Sequence, residues 1–154
     1  MKVNLQPTAR TISLLKKLSE STSVVNKAKR AGMIKATNLF KMRAVEKAPI
    51  AKGTLRKSIM TEVSSDGDNG RVYSDLDYAL YQEEGTGIYG PKGQPITAKK
   101  GKMMRFKSKS GKIIYTRSVK GVRPKKFMQQ ASEFVLTQTG VISQIIGDEL
   151  EKGL

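Results

Sequence analysis

The sequence predicts an α+β fold: long N-terminal and C-terminal helices packed on a small antiparallel sheet, with a protruding basic β-hairpin arm. Three observations carry this. Apolar residues recur at helical spacing only toward the two ends of the chain, in residues 24–47 and 125–149. Short runs with strand character lie between them, divided by Gly, Asp, Asn and Ser. From Gly85 to Ser132 there is no acidic residue, while thirteen Lys and Arg fill that span.

Taken in order, residues 8–20 read as a short helix in which Ile12, Leu15 and Leu18, or Leu14 and Leu18, share a face. Ser21-Thr22-Ser23 reads as a break with N-cap chemistry, making residues 1–23 an N-terminal extension. A longer helix is expected over Val24–Lys47. Val24, Ala28, Ala31, Leu39, Met42 and Val45 lie near one face, with Lys27, Lys29, Arg30, Lys41 and Arg43 largely off it. Gly32 weakens its middle by up to ~1 kcal/mol relative to Ala. Pro49 stops it, because the residue before a proline is pushed out of the helical region.

After a turn at residues 49–53, Thr54–Val63 reads as a strand with Leu55, Ile59 and Val63 set against Arg56, Lys57 and Glu62. Ser64–Gly70 is a polar loop. Its D-x-D-N-G resembles the start of a calcium loop, but Gly70 and Arg71 stand where that loop needs Asp or Asn and then Gly, so a hairpin turn is expected. Arg71–Leu76 returns as a strand. Tyr78–Glu84 is a helical turn or the strand's continuation, with Tyr78, Ala79 and Tyr81 buried against the long helix. Gly85, Gly87 and Gly90 satisfy G-x-G-x-x-G, but that pattern binds a dinucleotide only where a helix follows; Pro91, Gly93 and Pro95 leave no clean helix start, and no acidic residue follows about 20 positions on. The stretch is therefore a glycine-rich bend into an arm over residues 88–123.

Within the arm, Met103–Phe106 and Ile113–Thr116 form strands around a Ser-Gly turn. Only Met104, Phe106, Ile113 and Tyr115 are available to bury. A hairpin of that kind is marginal in water by itself. It needs the main domain, a neighbouring subunit or a polyanion to lie on. Pro124 opens the last helix, Lys125–Glu149, whose stripe of Phe127, Ala131, Phe134, Val135, Val141, Ile142, Ile145 and Ile146 is core packing; the tail from Asp148 is expected to fray. With no repeats and no low-complexity linker, residues 1–154 are expected to form a single domain.

Composition narrows the chemistry. The absence of Cys excludes disulfides and thiolate zinc sites, and the absence of His removes the usual general base, metal ligand and nucleophile partner. No catalytic residue, cofactor or metal is assigned, and no enzyme activity is expected. No apolar run approaches the ~20 residues that span a bilayer, so no membrane association is expected. Assembly is expected in a cytoplasm. Charge alternates along the chain: +9 over residues 1–47, −3 over 48–84, +13 over 85–132 and −3 over 133–154. That pattern allows one copy to dock on another, plus against minus. The residues singled out for contact with DNA or an acidic neighbour are Lys99, Lys100, Lys102, Arg105, Lys107, Lys109, Lys112, Arg117 and Lys120. Tyr78, Glu83, Glu84, Gly85, Thr86 and Gly87 are read as the bend that positions the arm, with Glu83 and Glu84 serving as a partner-facing salt bridge or a cap. Phe127 and Phe134 are read as anchors of the last helix.

Three segments also carry a resemblance: A-P-I-A-K-G-T-L-R-K-S-I at 48–59, Y-A-L-Y-Q-E-E-G-T-G at 78–87 and V-R-P-K-K-F-M-Q-Q-A at 122–131. In this order they resemble the tail-completion or neck proteins, the head–tail joining proteins of long-tailed bacteriophages. Lys52 departs from the family's usual Thr, and the basic insert 91–121 is longer than in short members. The resemblance implies a structural protein of the virion neck that forms a homo-oligomeric ring of about six or twelve copies, a closed cyclic assembly. Adjacent connector or stopper rings and tail terminator or tube proteins would be its neighbours, with viral DNA passing through the lumen on non-specific phosphate contacts. The alternative read from the residues is a free basic nucleic-acid-binding protein using the lysine-rich hairpin, with Phe106 and Tyr115 beside the cations.

Overall fold

The structure is a computed structural model that describes residues 9–99, 102–108 and 110–153, with side chains from Glu20 onward. It has the expected α+β character. The first helix, α1, runs from Ala9 to Lys47 without interruption. The break expected at Ser21-Thr22-Ser23 is absent. Hydroxyl side chains favour a cap only where no helical turn precedes them, and neither Gly nor Pro occurs between Ala9 and Ala31, so each further residue simply adds a hydrogen bond to a helix already nucleated. The side chains of Ile12, Leu14, Leu15 and Leu18 lie outside the described residues.

After α1 come α2 (Thr54–Lys57), β1 (Ile59–Val63), β2 (Gly70–Ser74), α3 (Asp77–Glu84) and a 3-10 turn at Gly87–Tyr89. The arm holds β3 (Ile96–Thr97), β4 (Met104–Lys107), β5 (Ile113–Thr116) and β6 (Ser118–Val119), and the chain closes with α4 (Phe127–Thr137) and α5 (Thr139–Gly153). The strands form three two-stranded sheets: β1 with β2, β3 with β6, and β4 with β5. The expected strand Thr54–Val63 is thus half helix. Gly53, with a φ of 74°, turns the chain into α2 before β1 begins. The single expected last helix is two, because Gln138 interrupts it between β-branched Thr137 and the Thr139-Gly140 pair, all weak helix formers. Its tail stays helical to Gly153, with Lys152 bonded to Glu149 one turn earlier at 2.7 Å.

The chain gathers into two compact units. One takes α1 up to Leu39, Thr61–Val72 and the chain from Val135; the other takes Phe40–Met60 and Tyr73–Phe134. In the first, α5 lies antiparallel to α1: a Cβ on Gly32 would stand 2.5 Å from Ile146, and one on Gly153 would stand 2.3 Å from Val24. Gly32 is therefore a contact point, where the missing side chain lets Ile146 seat directly on the helix backbone. Ala28, fully buried, lies one turn before Gly32 on the same side of α1. The 64–69 loop is tied to α1 by the Lys29–Asp68 ion pair. Asp66 accepts from the Ser64 hydroxyl and from the Asp68 N–H, and these bonds, the hydroxyl's first, hold its carboxyl below the usual aspartate value.

In the second unit the buried apolar side chains are Ala44, Ala48, Leu55, Ile59, Phe127 and Ala131. The first of the three sequence segments builds this core's frame. Arg56 donates from Nε to the Ala48 carbonyl and from a terminal nitrogen to the Glu46 carbonyl, both at 2.9 Å. A cation thus satisfies carbonyls that the end of α1 leaves without partners. The Ser58 and Ser74 hydroxyls meet at 2.7 Å, and Leu55 and Ile59 turn inward beside them. Phe134 is half-buried, with the Arg43 guanidinium 5.2 Å from its ring centre.

Two outcomes follow for stability. Phe127→Ala lowers the unfolding free energy by about 3–5 kcal/mol, as expected for a fully buried aromatic, while Leu136→Ala, at a side chain 70% exposed, stays within ~0.5 kcal/mol; denaturant melts followed by circular dichroism compare them. Because the Asp66 carboxyl is depressed, its contribution is complete above the ordinary aspartate range and is lost as pH falls through its lowered value. Amide protection factors of residues 64–69, corrected for the intrinsic pH dependence of exchange, should fall at acidic pH in the wild type and be low already at neutral pH in Asp66→Ala.

Candidate assembly site at the base and face of the basic arm

The second and third sequence segments meet at the root of the arm. Residues 77–84 make α3, and Glu83 reaches across to the start of α4. Its two carboxylate oxygens accept from the Met128 and Gln129 N–H groups, each at 2.9 Å. The first N–H groups of a helix have no partner within it, and a carboxylate there is favoured by the helix dipole as well. Beside this cap, Lys125 N–H donates to the Gln82 carbonyl at 2.7 Å and Lys126 N–H to the Glu83 carbonyl at 3.2 Å. Lys126 is held at a φ of 51°, a left-handed conformation unfavourable for a side chain with a Cβ. The bonds on either side of it fix that geometry.

One step outward, the two chains entering and leaving the arm are strapped together. Thr86 N–H donates to the Val122 carbonyl at 2.8 Å, and Val122 N–H donates back to the Thr86 hydroxyl at 2.9 Å. Ile88 N–H donates to the Lys120 carbonyl at 2.9 Å. The strap needs glycine at Gly121: its φ is 92°, and a Cβ there would sit 2.0 Å from the Thr86 carbonyl oxygen. The Arg123 guanidinium stands 5.2 Å from the centre of the Tyr89 ring. No helix follows Gly90; the chain runs through the turn at Pro91–Lys92 toward β3.

The bend residues thus have separate tasks. Glu83 caps α4, Thr86 straps the arm, and Gly85 and Gly87 let the two strands of the root approach. Tyr78 and Tyr81, expected to be buried, are 41% and 56% exposed. The reason lies in the eight-residue α3, none of whose side chains is buried: the helix is held by its ends rather than by an apolar face. Tyr78 borders a groove of about 280 Å³ with Pro49, Thr54 and Leu55. Glu84 is exposed.

In the arm itself β4 and β5 pair antiparallel, Met104 opposite Thr116, Arg105 opposite Tyr115, Phe106 opposite Ile114 and Lys107 opposite Ile113. Opposed residues share a face and alternate residues change it. One face therefore carries Met104, Phe106, Ile114 and Thr116; the other carries Arg105, Lys107, Ile113 and Tyr115. The second ladder, Ile96 with Val119 and Thr97 with Ser118, stiffens the stem. Sequence reading missed it, since two-residue strands leave no periodic signal. Lys99, Lys102, Arg105, Lys107, Lys112, Arg117 and Lys120 are all exposed. Lys100 and Lys109 lie outside the described residues. From Thr86 to Lys126 no described residue is buried.

Glu83→Ala is expected to lower stability by about 1–3 kcal/mol, since it orphans two helix N–H groups, whereas Glu83→Gln retains part of that; paired urea melts separate the three proteins. Among known proteins, no curated protein and no solved structure matches the chain. A family model does, described as "Bacteriophage HK97-gp10, putative tail-component", over residues 9–85. That span is half of the chain and covers the first of the three segments and the second up to Gly85, with α1 ahead of them. The chain belongs to the HK97-gp10-like family of bacteriophage tail components, and so to the structural proteins of a virion.

Proposed function

We propose that this tail component works at the neck, as a non-enzymatic ring of identical copies that joins the connector of the head to the tail, with DNA passing through its lumen. The observation that carries the reading is the arm. Phe106, Ile113 and Tyr115 are 42%, 50% and 60% exposed, within a segment that holds thirteen cations and no carboxylate. Exposed apolar area on a small hairpin is stabilising only once it is covered, and clustered like charge favours an anionic neighbour. A sister subunit supplies the cover, and DNA phosphates supply charge without base readout. The alternation of basic and acidic segments supports head-to-tail contacts, which close into rings when the rotation allows.

The exposed cations by themselves also support a second reading, a free nucleic-acid-binding protein. The two differ in the phage. Under the neck reading, a nonsense mutation in this gene leaves DNA-filled heads and finished tails unjoined in the lysate, and supplying the wild-type protein restores joined particles. Joined, infectious particles made without the protein overturn the neck reading. Tight duplex binding by the monomer, with a steep salt dependence lost when Lys102, Arg105, Lys107 and Lys112 are neutralised, would support the second reading in its place.

A further inference from the structure

One face of α3 has no counterpart within its own unit. Asp77, Leu80, Tyr81 and Glu84 fall at helical spacing on a single side, and all four are exposed, Leu80 and Tyr81 by 56% each. The result is a short apolar centre with a carboxylate at either end, about 10 Å apart along the helix axis. Neither carboxylate has an ion-pair partner among the described residues. Beside this face lies a groove of about 570 Å³ whose lining includes Leu80, Tyr81, Glu84, Gly85, Ile96 and Lys92.

The Arg105–Lys107–Ile113–Tyr115 face of the arm is the chemical complement. It has an apolar centre, Ile113 and Tyr115, next to cations that meet no carboxylate in their own arm. Aromatic side chains flanked by Arg are the usual anchors of protein interfaces. We propose that the arm of one copy docks on the α3 face and groove of the next copy, Tyr115 and Ile113 against Leu80 and Tyr81, Arg105 and Lys107 toward Glu84 and Asp77. Because donor face and acceptor face are different patches of the same chain, the contact is heterologous and repeats around a ring. The inference rests on the ring reading above and assigns the surfaces that make it.

The chain has no Cys, so an introduced thiol pair reports directly. The protein carrying both Tyr81→Cys and Tyr115→Cys, assembled into particles and oxidised, is expected to give a ladder of disulfide-linked multimers, while each single variant gives none. As a second arm, Glu84→Arg or Arg105→Glu alone is expected to weaken self-association about tenfold or more, and the two together to recover most of that loss, as complementary charge reversals do. Joined particles in which the protein is multimeric but only monomer, internally linked monomer or unrelated cross-links form would overturn the docking assignment and leave the ring standing. Particles in which the protein is present as isolated single copies would overturn the ring itself. Circular dichroism melts of each variant separate lost contact from lost folding.

Discussion

The carboxylate of Glu83 on the first N–H groups of α4 is the constraint from which the rest of this structure is set out. It joins the end of α3 to the start of α4, 45 residues later in the chain. Everything between those two points is the arm. With the cap in place, the neighbouring backbone bonds from Lys125 and Lys126 align the returning chain, and the Thr86–Val122 strap closes the root. Phe127, seated in the core directly after the strap, keeps α4 from sliding. A charge-assisted pair of N–H bonds is worth more than two neutral ones, and it acts where a helix has no other way to satisfy those groups.

The arm beyond that root is organised on a different principle. Its strands are hydrogen-bonded to each other and to little else, and its side chains stand in solvent on both faces. A free hairpin so built is marginal, yet its direction is fixed by the root. The root settles where the arm points, and the proposed docking on a sister copy would cover its exposed side chains. Among the described residues the unit's own core is small, six side chains of which three are alanines, so close backbone approach replaces bulk. The same economy appears in the other unit, where Gly32 admits α5 to the surface of α1.

Membership in the phage tail-component family gives these features a setting. Among the described residues the conspicuous chemistry is on surfaces: cations on the arm, carboxylates and aromatics on α3. The Glu83 cap and the Thr86–Val122 strap together fix the root of one exposed element.

Much of this was legible before any coordinates. Pro49 stopping α1, the Ser-Gly hairpin turn, the segregation of charge and the lack of His and Cys are local or compositional facts, and local facts survive in any fold. Sequence also singled out Glu83 and the glycines around it as a bend. What it could not supply were partners. That Glu83 caps a helix 45 residues on, that Arg56 closes the end of α1 and that Gly32 is a packing point rather than a weakness are all contacts between segments distant in sequence, whose chemistry leaves no periodic trace. The same holds where expectation and structure part. Hydroxyl residues at 21–23 are compatible with a cap or with a helix interior, and Tyr78 and Tyr81 with burial or exposure. Local preference in these places amounts to less than a single tertiary contact, so the tertiary structure decided them.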